Sequence, residues 1–400
     1  WYPLFIQKTM TYFILGSHPN LSKAELSAVF GDLKIVSESK SVLLTDIEEK
    51  NLGAMQSRLA GIVKAGHVIG ELKTWDEQAA AELITAYASG AMGKNKISFG
   101  ISVYEMGNVQ GSRRIENDTD SLGRKVKKML KELGRPVRFV SSKEPRLSSV
   151  IVETNNLLNS GGEFVFLVEK DRILIGKTEA VQDFKAWSDR DYGRPKRDKR
   201  SGMLPPKLAR MMINLTGKIP AESSILDPFC GSGTVLMEAS MMGWKRLVAS
   251  DISEKAVADT KKNLNWLHRH FKMEAPETSI LLSAAADLAS NEEAPAPVDA
   301  IVAEVFLGRP RQSTIDGYEL EKTEKFMMPT FEESLEGLKP LLNPGAKLVI
   351  AFPAYKKRDL TWHSLPIREM LVRLGFTIHD EHLYYRSNQL VARNIFVLSY

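Results

Sequence analysis

The stretch Ile225-Leu-Asp-Pro-Phe-Cys-Gly-Ser-Gly-Thr234 decides the fold of this 400-residue chain. It joins an apolar predicted strand, Ser224–Asp227, to an amphipathic helix predicted over 233–243. Gly231 and Gly233 permit the tight turn between them and let a ligand approach the backbone. A doubly wound sheet binds nucleotide-like ligands at such a turn. About 20 residues on, Asp251 ends a second predicted strand, Arg246–Asp251, where a carboxylate can accept both ribose hydroxyl protons. Asp287 ends the third-strand region, where an adenine edge would lie. The plainer reading makes Asp227 and Asp251 helix caps only. Glycine loop, acid spacing and strand–helix pattern agree with one another, which favours the ligand reading. Thr234-Val-Leu236 stands where the third glycine of a dinucleotide fingerprint would be. That absence disfavours NAD and favours S-adenosyl-L-methionine, whose methionyl carboxylate would meet the helix N-terminus.

Working outward, the alternation continues to the end of the chain. Strands are predicted at 278–283, Val298–Glu304 and 346–352, with helices at 253–268, 325–340 and 364–374. Two last strands, 379–386 and 394–400, follow. This spacing means an α/β fold with a largely parallel sheet covered on both faces. Upstream the pattern differs. A small α+β part has strands at 11–15 and 42–45, a helix from Lys23 to about Val29 capped by Asn20 or Ser22, and a helical stretch at 51–64. A second part has a helix over 77–88, a strand over 96–104 and a helix over 121–133 capped by Ser121. The apolar side of that last helix is Val126, Met129, Leu130 and Leu133, and Gly134 ends it. Strands are predicted at 136–142 and 148–154, then a hairpin of 163–169 with 172–176 that turns at Lys170 and Asp171. A polar, basic linker over 181–203 separates these parts from the glycine-loop region.

Composition sets outer limits. Hydrophobic residues are 43% and charged residues 26%, which excludes a disordered or fibrous chain. Lys and Arg number 54 against 49 Asp and Glu, a net charge of +5 that permits a polyanionic partner without demanding one. A single cysteine excludes an intrachain disulfide and a multi-cysteine zinc site and suits a reducing, cytoplasmic location. The seven histidines show no metal spacing. No run of about 18 apolar residues predicts a membrane span. The first nine residues, ahead of Met10, read as a fragment edge or added leader and lack the features of a signal peptide.

Asp227-Pro-Phe-Cys-Gly-Ser-Gly-Thr234 resembles the cofactor loop of class I methyltransferases acting on nucleic acid. Tyr192-Gly-Arg-Pro195 and Gly202-Met-Leu-Pro-Pro-Lys-Leu-Ala209 resemble the lead-in segment of the tRNA guanosine-10 N2-methyltransferase family. The likeness is specific over 190–260 and loose before 160. It implies a ferredoxin-like unit over 10–75, a THUMP-like RNA-binding domain over 76–180, the linker over 181–203, and a Rossmann-like methyltransferase domain with a mixed seven-stranded sheet over 204–400. It also implies that Leu204 and Pro205 wall the cofactor pocket and that Asp227, Phe229, Gly231 and Gly233 form its loop. Asp251, with Ile252 beside it, would hold the ribose, and Asp287 would lie by the adenine.

The family usually carries Asp-Pro-Pro-Tyr after the fourth strand, where the acid orients an exocyclic amine and the aromatic stacks on a flipped base. Here the chain reads Asp299-Ala-Ile-Val-Ala-Glu-Val-Phe-Leu-Gly308. Glu304 replaces the acid, both prolines are missing, and Phe306 is an aromatic displaced by one residue. Glu304 and Phe306 are therefore the catalytic candidates. Carbon-5 methylation of a pyrimidine needs a cysteine nucleophile near the base. The one cysteine, Cys230, lies inside the cofactor loop and reads as a small apolar filler, so transfer to nitrogen or oxygen is favoured.

Basic residues cluster at 113–146 and 185–210, which suggests phosphate contact, although any single lysine is ordinarily a solvated surface residue. Lys127, Lys128 and Lys131 flank the apolar face of the 121–133 helix. Lys143 and Arg146 fall on a loop expected between two strands, and Arg194 and Arg197 in the linker. Trp187 and Tyr192 are aromatics that stack on a base or pack in a core. The expected function is S-adenosylmethionine-dependent N2-methylation of a guanosine in tRNA, with tRNA as partner. The alternatives are an amino-methyltransferase of ribosomal RNA or DNA, and a catalytically inactive RNA-binding protein. Oligomeric state and any small activating subunit, such as some eukaryotic relatives use, stay open.

Overall fold

The computed structural model describes residues 10–31, 33–47, 49–92, 96–197 and 203–400. The reading of residues 1–9 and the end of the expected linker, 198–202, lie outside the described residues. The chain divides into two compact units, the first ending at Phe184 and the second beginning at Lys185.

The first unit runs β1 Thr11–Leu15, α1 Pro19–Phe30, β2 Ile35–Glu38, β3 Val42–Thr45, α2 Leu52–Arg58, β4 Ile62–Leu72, α3 Glu77–Ala91 and β5 Ile97–Glu105. It continues with α4 Val109–Glu132, β6 Val137–Val140, α5 Ser149–Thr154, β7 Gly161–Val168 and β8 Ile173–Val181. All eight strands form one sheet, ordered β2-β3-β1-β4-β8-β7-β5-β6. The border expected at 75/76 therefore does not divide the sheet. β4 lies before it and pairs with β8 beyond it, and one apolar cluster joins Tyr12 and Val42 to Val165 and Leu174.

Four local predictions change for identifiable reasons. The helix expected over 51–64 stops at Arg58, and the β-branched start of Ile62–Leu72 becomes β4, taken up by pairing to β1 and β8. The strand expected over 148–154 is α5, because the Ser148 hydroxyl caps it by accepting the Ile151 N–H at 3.2 Å. α4 begins at Val109 with Asn108 as its cap, while Ser121 donates instead to Glu77 Oε1 at 2.6 Å. His18, not Asn20 or Ser22, precedes the first turn of α1, where Pro19 suits the helix start.

The buried Lys64–Glu163 pair of this unit is fully hydrogen-bonded. Lys64 forms an ion pair with Glu163 and donates to the Leu147 carbonyl at 2.5 Å. Ser102 and Thr178 donate to the two oxygens of Glu163 at 2.5 and 2.6 Å. A buried charge needs such company, since an unpaired one costs several kcal/mol, on the order of 3–5.

α6 Phe184–Ser188 starts at the last residue of the first unit, and the second unit continues with a π-helix at Asp189–Gly193, then α7 Pro206–Leu215, β9 Ser224–Asp227, α8 Thr234–Met241, β10 Arg246–Asp251 and α9 Glu254–His270. β11 Glu277–Leu282, a 3₁₀ turn at Ala285–Ser290, β12 Val298–Glu304, α10 Gly317–Leu338, β13 Leu342–Lys356 and β14 Trp362–Ser364 follow. The chain then forms α11 Ile367–Arg373, β15 Thr377–Tyr384 and β16 Val391–Ser399. The sheet order is β11-β10-β9-β12-β13-β16-β15, with β14 hung on β13. Along that order β11 to β13 are parallel, and β16 runs antiparallel to both β13 and β15, giving the mixed seven-stranded core of the sheet. The order reverses between β9 and β12, so the ends of these central strands open a crevice.

The described part of the expected linker is not loose. Glu238 of α8 accepts from Arg190 Nε at 2.6 Å and Arg210 Nε at 2.9 Å. The guanidinium carbons of these arginines lie 4.3 and 4.8 Å from the ring centre of Trp187. Trp187 is thus packed in a core, and the first turns of the linker are pinned to α7 and α8. α7 itself, buried over nearly its whole length, falls where no helix is predicted.

Candidate functional site

The loop 228–233 is held from several sides. Phe229 N–H donates to Asp227 Oδ1 at 3.1 Å, and Cys230 N–H to the Ser250 carbonyl at 3.0 Å. Thr260 and Asn263 of α9 donate to the carbonyls of Gly231 and Ser232 at 2.9 and 2.8 Å. Gly231 and Gly233 have φ of +52° and +82°, a region L side chains avoid. At Gly233 a Cβ would also sit 2.8 Å from Thr260 Cγ2, so the close approach of loop and α9 requires glycine twice over.

Asp251 joins the loop to the second strand. Its Oδ2 accepts the Gly231 N–H at 3.0 Å and its Oδ1 the Ser253 N–H at 2.9 Å. Each carboxylate oxygen keeps a further lone pair for a ligand hydroxyl.

A cleft of about 480 Å³ opens on these residues. That lies within the range of small-molecule sites, roughly 300–1,000 Å³. Of the residues read from the sequence, Leu204, Asp227, Phe229, Gly231, Asp251, Ile252, Glu304 and Phe306 line it. Gly233 caps α8 beneath it, Pro205 precedes α7, and Asp287 sits on the 3₁₀ turn; these three are off the wall. Ile252 is 78% exposed and Phe306 56%, apolar surfaces left without protein cover at the cleft.

Burial pushes the Asp227 carboxyl up to about 8, and the nearby Asp251 and Glu304 charges add to the effect. Burial likewise pushes the Cys230 thiol far up, so this cysteine is a packed, unreactive group. Glu304 ends β12, which pairs with β9 and so sets it beside the loop. Its carboxyl is raised by burial and held back by Arg393. Arg393 Nε donates to Glu304 Oε1, and its Nη2 lies 3.4 Å from Oε2 and 3.4 Å from the Met203 carbonyl. No sequence signal marks this arginine, which comes from β16, 89 positions away.

The basic candidates divide. In the first unit, Lys127, Lys128 and Lys131, with Arg124, line a shallow depression on α4. Lys143 and Arg146 are exposed on a loop between β6 and α5, a strand and a helix rather than two strands; Arg146 lies 4.9 Å over the Tyr104 ring. In the second unit, Arg197 stacks on the exposed Tyr192 ring at 4.9 Å. Arg194 is only 2% exposed and donates to Thr234 Oγ1 at 2.7 Å. It cannot serve as a phosphate contact, because burial removes it from a polyanion's reach.

Among the described residues, no group of three or more His, Cys, Asp or Glu could hold a metal ion. Among the same residues, no helix is long and apolar enough to cross a membrane.

Residues 194–305 match the UPF0020 family, described as an RMKL-like methyltransferase domain. The chain is 27% identical over 356 residues to the tRNA (guanine(10)-N2)-dimethyltransferase of Methanothermobacter thermautotrophicus, across 86% of this chain and 89% of that protein. It is 28% identical over 220 residues to the enzyme of the same name from Methanocaldococcus jannaschii, across 53% and 56%. The crystal structure of TrmN from Thermus thermophilus matches 98% of this chain and 99% of its own, with a TM-score of 0.54 at 17% identity. That likeness extends the fold assignment to both units.

Proposed function

We propose that this homologue of the tRNA (guanine(10)-N2)-dimethyltransferases is itself an S-adenosylmethionine-dependent methyltransferase that modifies the N2 amine of a guanosine in tRNA. The observation that carries the reading is the meeting, in one cleft, of the Asp251-braced glycine loop with Glu304 and Phe306. The donor set fits the cofactor: a ribose-facing carboxylate, a glycine loop at a helix start, and apolar surface from Leu204, Phe229 and Ile252. S-adenosylmethionine, when bound, supplies a methyl group on an electron-poor sulfonium centre. Everything else falls to the chain.

Asp251 accepts the ribose hydroxyls, while Ile252 and Phe229 cover apolar parts of the ligand. Asp287 is the reserve contact for the adenine edge. Phe306 stacks on the target base, worth about 1–3 kcal/mol for such platforms. A guanine amine is a weak nucleophile, because its lone pair is drawn into the ring. Glu304 Oε2, only loosely engaged by Arg393 at 3.4 Å, accepts a hydrogen bond from that amine and takes its proton. Oε1 stays committed to Arg393 and fixes the carboxylate's aim. Lys127, Lys128, Lys131, Lys143, Arg146 and Arg197 contribute contacts to the tRNA backbone, and tRNA modification suits a cytoplasmic location.

The test is incubation with methyl-labelled cofactor and total tRNA, followed by nucleoside analysis. N2-methylguanosine or its dimethyl form is expected, and Glu304→Gln should slow its formation about 10²- to 10⁴-fold. Binding of cofactor and tRNA without transfer to any nucleic acid would favour the inactive binder. Transfer to ribosomal RNA or DNA alone would move the substrate.

A further inference from the structure

We infer that the β13–β14 hairpin and the turn between β15 and β16 form a docking surface for the RNA strand that carries the target base. The inference rests on the proposed tRNA reading and deepens it, by giving the second unit its own contact to the strand. Glu304, at the end of β12, stands opposite Ala351 of β13. β13 continues past that level to Lys356, about 16 Å further at ~3.3 Å per residue. The overhang therefore stands at the end of the sheet where Glu304 and Phe306 open on the cleft. It is tied to the loop that follows Phe306. The Tyr355 hydroxyl donates to the Leu307 carbonyl at 3.1 Å, and the Ile315 N–H to the Lys356 carbonyl at 2.9 Å. Lys356 N–H donates to the Leu390 carbonyl at 3.0 Å, which brings the 385–390 turn alongside.

This surface presents cations and aromatic rings together. Lys356, Lys357 and Arg358 are consecutive, and Arg386 is exposed on the neighbouring turn. The rings of Trp362 and Tyr385 lie 4.9 Å apart at 41°, and Lys356 Nζ is 5.8 Å from the Trp362 ring centre. Tyr385 keeps 41% of its surface exposed. At the hairpin tip Leu360 has φ of +66° and is exposed. Asp359 locks that turn, its Oδ1 accepting the Thr361 N–H at 3.0 Å and the Thr361 hydroxyl at 2.6 Å. A bulky residue in the left-handed region is strained, and here the strain holds an apolar side chain outward beside the cations. The acids near these cations hold them loosely. Lys357 lies 4.0 Å from Asp359 and Arg358 3.4 Å from Asp316, both in solvent. Exposed pairs of this kind contribute little, so both cations can turn to a phosphate at small cost. The cleft itself is lined by Asp251 and Glu304 and repels phosphates, so the backbone follows the basic hairpin while the base alone enters. Exposed rings flanked by cations are the composition of a single-strand platform, on which bases stack whatever their sequence.

The test measures binding of total tRNA to the full chain across salt concentrations, with S-adenosylhomocysteine calorimetry as the control. Lys357→Gln, Arg358→Gln and Arg386→Gln together should lower the magnitude of the log–log salt slope by about 0.7–0.9 for each phosphate no longer neutralised. Tyr385→Ala should weaken tRNA binding about fivefold to a hundredfold, and Tyr385→Phe, which keeps the ring, less than about twofold. S-adenosylhomocysteine affinity should stay within about twofold in every variant, since none of these residues lines the cleft. An unchanged slope in the glutamine variant, or tRNA affinity unmoved by Tyr385→Ala, overturns the surface; if the unaltered chain still methylates tRNA, the proposed function stands without it. If Tyr385→Ala does not fold, the salt slope of the glutamine variant decides. Should the unaltered chain bind no tRNA, the proposed function and this inference fall together. Self-association of the unaltered chain in sedimentation, abolished by the glutamine variant while tRNA affinity holds, would assign the face to a second copy and overturn the inference.

Discussion

Replacing Arg393 by methionine removes the cation and keeps most of the volume, so Glu304 is left as a largely buried carboxylate without its partner. Breaking a buried pair in this way costs about 3–5 kcal/mol. The glutamate has an escape, which is to take up a proton. From an ordinary value near 4.3, protonation at pH 7 costs about 3.7 kcal/mol, at roughly 1.36 kcal/mol per pH unit. That figure caps the penalty at neutral pH, and at pH 5 the cap falls to about 1 kcal/mol. The sign follows from proton counts. With its pKa raised in the folded state, Glu304 binds more protons folded than unfolded. The variant's stability is therefore greatest below the unfolded value and declines as pH rises through the raised folded value. For a unit of this size, about 3–4 kcal/mol lowers the melting midpoint by roughly 6–16 °C. Scanning calorimetry of the full chain at pH 7 and pH 5 measures both numbers. Arg393→Met combined with Glu304→Leu should recover most of the loss, because no charge is then stranded. A penalty below about 0.5 kcal/mol, or one equal at the two pH values, would refute the reasoning that this pair is a buried, mutually dependent charge pair.

Asp251→Ala should cost about 1.5–3 kcal/mol of S-adenosylhomocysteine affinity by calorimetry, since the hydrogen bonds it removes are charge-assisted; unchanged affinity in a folded variant rejects the ribose role. Asp227 titrates at about 8 when folded, above its unfolded value, so its contribution to stability is complete in acid and lost as pH rises through about 8. Asp227→Asn should therefore match the unaltered protein only below about pH 4, and exceed its melting midpoint by a margin that grows from there up to about pH 8. Lys127→Gln, Lys128→Gln and Lys131→Gln together should lower the magnitude of the log–log salt slope of tRNA binding by about 0.7–0.9 for each phosphate no longer neutralised. An unchanged slope would remove α4 from the RNA surface.

The parts of this molecule that are legible in its sequence are those whose physics is local. The glycine loop, the strand before it and Asp251 lie within about 25 residues, and each needs its residue type for a reason that neighbours supply: positive φ, a helix start, an acid at a strand end. Sequence reasoning fails where a distant partner decides. Ile62–Leu72 is a strand because β1 and β8 pair with it. Glu304 reads as an unpaired acid because its arginine stands 89 positions on, in a largely apolar strand. Arg194 reads as one member of a basic run, and composition cannot separate a solvated arginine from a buried one. What separates them is compensation across the fold. Once Glu238 is assigned to Arg190 and Arg210, and Glu304 to Arg393, Arg194 is left as a buried arginine that donates to Thr234, with Asp191 and Glu238 acting on it from beyond ion-pair distance.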